Sequence, residues 1–126
     1  MARFSGKGYL VTGAARGIGE AVVRRLAAEG AMIAAADLEA TGLESLAADL
    51  RAGGTKVVTA AFDTRDSAAM DAFVAHAFAE LGRLDGAVPC AGIARSAPAE
   101  DMTDAQFSDV LGINLNAVFY TCRAVG

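Results

Sequence analysis

Short apolar runs alternate along the chain with longer segments whose apolar residues recur every three or four positions. The runs predict β-strands at about Gly8 to Val11, Met32 to Ala36, Lys56 to Phe62 and Leu84 to Val88. The segments between them predict helices at about Gly17 to Glu29, Thr41 to Arg51 and Ser67 to Leu81. Just past these helices stand glycines that suit left-handed caps: Gly30, Gly53-Gly54 and Gly82.

Strands that alternate with helices through short loops predict a parallel sheet with right-handed crossovers. The expected strand order is 3-2-1-4, with a ligand across the carboxyl ends of strands 1 and 4. A fourth helical stretch begins near Thr103, an N-cap candidate, and continues to the last residue. Because nothing after it supplies a strand for the far side of strand 4, we interpret residues 1–126 as one domain of class α/β, an incomplete doubly wound sheet.

The composition narrows the class of protein. With 54% hydrophobic residues in 126, the chain can bury one core. A net charge of -4 and lysines only at 7 and 56 argue against nucleic acid and membrane surfaces as partners. The sequence shows no leader pattern and no apolar stretch that would span a bilayer, which predicts a cytoplasmic protein.

Cysteine and histidine give little sign of a metal or redox site. Cys90 and Cys122 fit no metal-ligand spacing and are predicted to be free thiols, with a redox role at Cys90 as the minor alternative. The single histidine, His76, points away from the inner stripe of its helix and is expected at a flanking or exposed position. No metal site is predicted.

A glycine-rich turn follows the first strand. Thr12-Gly13 ends the apolar run, and Gly17-Ile18-Gly19 opens the first helix. Glycine at 13 permits the tight turn, glycine at 17 lets a pyrophosphate approach the backbone, and glycine at 19 lets the helix pack closely on the strand. The free amides of the first helical turn would then face the phosphates.

The spacing Thr12-Gly13-x-x-x-Gly17-x-Gly19 resembles the short-chain dehydrogenase/reductase family, in its N-terminal cofactor-binding half. Further matches follow at Asp37, Asp63-Thr64, Ala91-Gly92 and Asn114. The resemblance implies a Rossmann-type fold and hydride transfer between a nicotinamide cofactor and an alcohol or ketone. It also implies a cofactor site at Thr12, Gly13, Arg16, Gly17, Ile18, Gly19, Asp37, Leu38, Asp63, Thr64, Cys90, Ala91 and Gly92.

Asp37 bears on the choice between NAD and NADP. It follows the second strand, where its carboxylate can accept both hydroxyls of the adenosine ribose and would repel a 2′-phosphate. Arg16 resembles the basic residue that NADP-preferring relatives carry in this loop, whereas Leu38 offers no positive charge. NAD is therefore expected, with NADP as the less favoured cofactor. An ordinary turn residue or helix N-cap is the alternative for Asp37.

Two other segments carry candidate cofactor contacts. By resemblance, Asp63 would meet the adenine amino group, with Thr64 beside it; the alternative is a cap for the helix that starts near Ser67. Pro89-Cys90-Ala91-Gly92 departs from the family's usual Asn-Asn-Ala-Gly. Because proline cannot donate to a strand ladder, we expect strand 4 to stop at Val88 or to run through a local irregularity.

The catalytic group is only partly represented. Asn114 aligns with the family's catalytic asparagine, and an asparagine inside a helix favours a local break. The family's Tyr-x-x-x-Lys pair does not occur, since Tyr9 and Tyr120 are followed four positions on by Gly13 and Ala124. Residues 1–126 are therefore expected to be inactive alone, as part of a parent enzyme that forms a homo-oligomer. A non-catalytic nucleotide-binding module and a chain that completes its sheet with another chain remain the alternatives.

Overall fold

Four parallel strands form one sheet in the order β3-β2-β1-β4, which confirms the predicted topology. The computed structural model describes residues 2–126. Each apolar run of the sequence becomes a strand, displaced by at most two residues from its predicted ends. The strands are β1 (Gly8–Thr12), β2 (Met32–Asp37), β3 (Val57–Ala61) and β4 (Gly86–Pro89).

Three helices connect these strands, as the 3.6-residue periodicity predicts. They are α1 (Gly17–Ala28), α2 (Ala40–Ala52) and α3 (Ser67–Leu81). Of the glycines that follow them, Gly30, Gly54 and Gly82 have φ of +94°, +87° and +83°, whereas Gly53 stays at negative φ. The chain therefore leaves each helix through a left-handed glycine, as predicted.

The central strands β1 and β2 are buried on both faces, because successive strand residues point to opposite sides and meet helices there. Leu10 faces the α3 side with Ala34, Phe73 and Ala77, and its neighbour Val11 faces the α1 and α2 side. The α1 and α2 side contains Val11, Val23, Ile33, Ala35, Leu43, Leu46, Leu50 and Val57. Both clusters lie under the two central strands, and they hold the carboxyl ends of the strands at one edge of the sheet.

The fourth helical stretch contains a π-helical segment. Its parts are α4 (Asp104–Leu111), the π segment (Gly112–Asn116) and α5 (Ala117–Val125). Thr103 caps α4 as predicted, and Gln106 completes the capping box. The predicted break at Asn114 is confirmed, and its form is a wider helical turn.

Strand β4 runs one residue further than the sequence predicts. Pro89 lies opposite Thr12 in the ladder, so the expectation that the strand stops at Val88 is wrong. The irregularity offered as the alternative comes immediately after, where the Cys90 amide donates to the Val88 carbonyl at 3.0 Å. Proline is tolerated here because it is the last residue of a strand at the sheet edge of residues 2–126.

A charged cluster ties the N-terminal segment to the end of α1. The Glu29 side chain, 6% exposed, accepts hydrogen bonds from Arg3 and from Arg25 Nε at 2.5 Å. These bonds lower the pKa of Glu29 from its ordinary 4.5 to about 2, with Arg3 the larger cause. A carboxylate at a helix C-terminus opposes the helix dipole, so the two arginines are what make Glu29 favourable there.

Because of Glu29, the free energy of unfolding should depend on pH in the acid range. The folded pKa of Glu29 lies below its unfolded value, so its contribution is complete above about pH 4.5 and is lost as the pH falls toward 2. We expect Glu29→Gln to lower the thermal midpoint of unfolding at pH 7. Between pH 4.5 and pH 2 the midpoint of this variant should fall less steeply than that of the wild type. Exposed Glu80→Gln is the control. A Glu29→Gln protein that loses stability in acid as steeply as the wild type would contradict this assignment.

Candidate functional site

A cleft of about 420 Å³ opens at the carboxyl ends of the paired strands β1 and β4, where the chain leaves β1 toward one face of the sheet and leaves β4 toward the other. Such a divergence is where open α/β sheets bind ligands. The cleft lies among four loops that follow β1, β2, β3 and β4, together with the π segment. It is lined by Gly13, Arg16, Gly17, Ile18, Gly19, Asp37, Leu38, Phe62, Asp63, Thr64, Arg65, Cys90, Ala91, Gly92, Ile93 and Ile113.

The glycine-rich loop packs against its neighbours at distances that a side chain would not allow. A Cβ on Gly19 would lie 2.0 Å from the Gly13 carbonyl oxygen, and a Cβ on Gly13 would lie 2.8 Å from the Ala91 backbone. Gly17 differs, because a Cβ there would meet nothing within 4 Å; its φ of +60° is close to the +63° of Gly13. Gly13 and Gly19 therefore close the loop, while Gly17 leaves space beside its backbone.

The N-terminus of α1 faces this space. No side chain among residues 2–126 caps it, since Arg16 occupies the N-cap position without a side-chain bond to the helix. The first amides of a helix are hydrogen-bond donors without helical partners, and the helix dipole adds positive potential there. The loop and the helix end together fit an anion of the size of a phosphate.

Asp37 supports the glycine-rich loop as well as facing the cleft. Its Oδ2 accepts from the Ala15 amide and its Oδ1 from the Glu39 amide, both at 3.0 Å. A carboxylate has about four acceptor positions, so each oxygen can still accept one hydroxyl. The N-cap of α2 is Glu39, so Asp37 does not cap that helix. Arg16 is exposed in the same cleft and has no carboxylate partner within residues 2–126.

The loop after β3 carries an ion pair that the sequence analysis did not anticipate. Arg65 Nη2 donates to Asp63 Oδ2 at 2.6 Å, and Arg65 Nη1 donates to Asp109 of α4 at 2.7 Å. The hydrogen bond from Arg65 is the main reason that the pKa of Asp63 is lowered. Asp63 does not cap α3, because Asp66 takes that position and accepts from the Ala69 amide.

The loop after β4 is held at two points. The Thr12 hydroxyl accepts from the Ala91 amide at 3.2 Å, which ties the loop to the end of β1. Asn114 accepts from the Ile93 amide at 2.9 Å and donates to the Ile93 carbonyl at 2.8 Å. The π segment thus presents the asparagine side chain to the backbone of the loop, as a neighbouring strand would.

The structure brings the predicted cofactor residues together, with one exception. Thr12 is buried and does not line the cleft; it acts through its bond to Ala91. Four lining residues were missed: Phe62, Arg65, Ile93 and Ile113. Each is the direct neighbour of a predicted residue in the sequence. That proximity was the available signal, because no chemical motif marks these four positions.

Other candidate chemistry is limited. Cys90 and Cys122 are free, and burial raises the pKa of the Cys90 thiol, which disfavours the reactive thiolate. His76 is exposed, as predicted. Residues 2–126 contain no cluster of three or more His, Cys, Asp or Glu side chains suited to a metal ion. Nor does any helix in that range have the length and apolarity needed to cross a membrane.

Comparison with known proteins identifies the class. The sequence model of the short chain dehydrogenase family matches residues 7–126. The chain belongs to this family, which confirms the resemblance seen in the sequence. Its sheet is part of a Rossmann fold, and the family consists of oxidoreductases that bind NAD(P).

Individual relatives are similar over nearly all of this chain. D-threitol dehydrogenase of Mycolicibacterium smegmatis is 46% identical over 98% of the chain and 48% of its own length. Gluconate 5-dehydrogenase of Gluconobacter oxydans is 38% identical over 96% of the chain and 47% of its own length. The structure of carveol dehydrogenase from Mycobacterium avium in complex with NAD has a TM-score of 0.94 and 32% identity, over 99% of this chain and 50% of that one. The chain spans about half the length of the curated relatives it matches.

Proposed function

We propose that residues 1–126 form the dinucleotide site of an NAD-dependent short-chain dehydrogenase that transfers hydride between NAD(H) and an alcohol or ketone. The observation that carries this proposal is the cleft, where an uncapped helix N-terminus, a closed glycine-rich loop and the Asp37 carboxylate face one space. NAD supplies the hydride acceptor when it is bound. The NAD-bound relative supports the choice of cofactor class.

Different residues of the cleft would bind different parts of the cofactor. The α1 amides and the backbone beside Gly17 would hold the pyrophosphate, because both offer donors without a side chain in the way. Asp37 would accept the ribose hydroxyls with the acceptor positions that Ala15 and Glu39 leave free. Asp63 would accept the adenine amino group. The backbone of Cys90, Ala91 and Gly92 would lie close to the end of the cofactor that is farthest from the adenine.

Asn114 is the catalytic residue we assign within this chain, as a member of a proton-relay group. Residues 1–126 hold no tyrosine with a lysine four positions on. A tyrosine near its reference pKa of about 10 is a poor proton shuttle at neutral pH. We therefore expect the purified 126-residue chain to show no steady NADH production from a panel of alcohols. Sustained turnover in a preparation shown to be free of host dehydrogenases would refute this.

Asp37 provides the test of the cofactor assignment. We expect Asp37→Ala to weaken NAD binding about 10- to 100-fold, because charge-assisted bonds are lost, and to narrow the gap to NADP. Asp37→Asn is the matched control, since it removes the charge and keeps an acceptor for the Ala15 amide. Calorimetric titration of both variants with both cofactors, on the complete protein that the reading frame encodes, gives the four affinities.

Three outcomes would redirect the assignment. Tighter binding of NADP than of NAD by the wild-type protein would mean that Arg16 governs the site. Failure of the wild-type protein to bind either cofactor would remove the dehydrogenase proposal itself. A nucleotide bound without any activity in the complete protein would favour the non-catalytic module instead.

We further propose a homo-oligomer and a cytoplasmic location, with a small alcohol or ketone as the other partner. The helices after Thr103 carry four large apolar side chains that are exposed in residues 2–126: Phe107, Leu111, Leu115 and Phe119. An apolar row of this kind favours association with a second copy. The net charge of -4 argues against nucleic-acid partners. The free cysteines suit a reducing compartment.

A further inference from the structure

Arg65 holds the Asp63 carboxylate through three separate N–H groups. Asp63 Oδ1 accepts from the Arg65 amide at 2.9 Å and from Nε at 3.1 Å. Asp63 Oδ2 accepts from Nη2 at 2.6 Å and shares Nε at 3.1 Å. Of the roughly four acceptor positions of a carboxylate, these donors leave about one for a further partner. Asp63 lines the cleft and its side chain is 36% exposed, so that partner can be a ligand.

The arginine is itself fixed at its other side. Its Nη1 donates to Asp109 of α4 at 2.7 Å. Its stem lies against the start of the π segment, where a Cβ on Gly112 would be 3.0 Å from Arg65 Cδ. A guanidinium held by two carboxylates and a backbone wall has little freedom to rotate, and a bidentate fork transmits that fixed orientation to its partner.

An ionised carboxylate accepts hydrogen bonds and donates none. The adenine 6-amino group can fill the remaining position on Asp63, whereas the 6-oxo group of hypoxanthine would set lone pairs against lone pairs. A site built to bond one polar group rejects an analogue that lacks it, because its own polar atoms are left unpaired. Hypoxanthine has an N–H donor at N1, next to its 6-oxo group. Discrimination of this kind therefore requires that the carboxylate cannot turn toward N1.

We propose that Arg65 is a positioning residue that aims the Asp63 carboxylate at the 6-amino group of the cofactor's adenine, and so makes the site selective for adenine over a 6-oxopurine. The inference rests on the proposed dinucleotide function. It extends that function, because it assigns base selectivity to a residue that need not touch the base. The ion pair to Asp109 makes α4 part of the same device.

The experiment compares NAD with nicotinamide hypoxanthine dinucleotide by calorimetric titration of the complete protein. We expect the wild-type protein to bind NAD at least about tenfold more tightly than the analogue. In Arg65→Met the ratio of the two affinities should fall to within about threefold, mainly through weaker NAD binding, because the side-chain donors are lost and only the amide of residue 65 still holds Asp63. Arg65→Lys keeps a charge beside Asp63 without the fork and should give an intermediate ratio.

A matched control exists elsewhere in the chain. Arg83 forms a similar fork with Asp85, at 2.8 and 2.5 Å, and does not line the cleft. Arg83→Met removes an equivalent surface ion pair, so it should leave the NAD-to-analogue ratio unchanged. If Arg65→Met does not fold, Asp109→Asn takes its place, since it keeps the Asp63 fork and loosens only the anchor; its ratio should fall at least about twofold.

The outcomes separate the inference from the function on which it rests. Equal binding of NAD and the analogue by the wild-type protein overturns the selectivity while leaving NAD binding intact. Equal loss of both ligands in Arg65→Met, with the ratio unchanged, means that Arg65 only supports the fold. An unchanged ratio in Asp109→Asn overturns the role of the anchor on α4. Absence of NAD binding by the wild-type protein removes the proposed function, and the inference falls with it.

Discussion

Gly19→Ala should weaken dinucleotide binding strongly and destabilise the fold, although alanine is the better helix former. The added Cβ would lie 2.0 Å from the Gly13 carbonyl oxygen and 2.6 Å from its carbon. These are backbone atoms of the turn, so α1 itself must move. Overpacking of this kind costs about 3 kcal/mol, which exceeds the gain of about 1 kcal/mol in helix propensity. A shift of the α1 amides by about 1 Å should weaken NAD binding about 100-fold.

Gly17→Ala is the matched comparison for Gly19→Ala. A Cβ on Gly17 meets no atom within 4 Å, but its φ of +60° is unfavourable for alanine. Its cost should therefore be conformational, about 1–2 kcal/mol. Denaturant unfolding should give Gly19→Ala a smaller free energy of unfolding than Gly17→Ala. Titration with NAD should show a lower affinity in both variants. A Gly19→Ala protein with wild-type stability and NAD affinity would contradict the close packing of α1 on the loop.

Leu115→Lys should convert the proposed oligomer into monomers. The apolar row defined above is 57, 40, 61 and 57% exposed at Phe107, Leu111, Leu115 and Phe119. In a two-fold interface each copy contributes the same residue, so one substitution removes two buried leucines and adds two charges. At about 1.5–3 kcal/mol for each leucine, association should weaken on the order of 100-fold or more.

Sedimentation over a range of protein concentrations measures the association of the wild-type protein and of Leu115→Lys directly. Phe78→Lys is the matched control, because Phe78 is 56% exposed but lies on α3, outside the row. We expect Phe78→Lys to keep the wild-type sedimentation coefficient. If the wild-type protein is monomeric at every concentration, or if Leu115→Lys leaves the assembly intact, the row is not the interface.

Much of this protein can be deduced from the order of its residues. Period-two and period-3.6 patterns locate β1 to β4 and α1 to α3, and the glycines after the helices mark their ends. These signals are local, because each depends on the conformation of a few consecutive residues. Short crossovers then leave one favoured strand order, and strand order places the cleft. The loop from Thr12 to Gly19 is readable for the same reason, since its glycines follow directly from its backbone geometry.

The bonds between distant segments could not be deduced in this way. Arg65 and Asp109 are 44 residues apart, and Asn114 meets Ile93 across 21. The sequence around Asp63 is compatible with a helix cap and with a ligand contact. Only the position of Arg65 decides which hydrogen bonds the Asp63 carboxylate oxygens accept. Asp37 likewise proves to support the Ala15 amide while facing the cleft. Such pairings depend on how helices pack on the sheet, and packing is a property of the whole core that no short stretch of sequence contains.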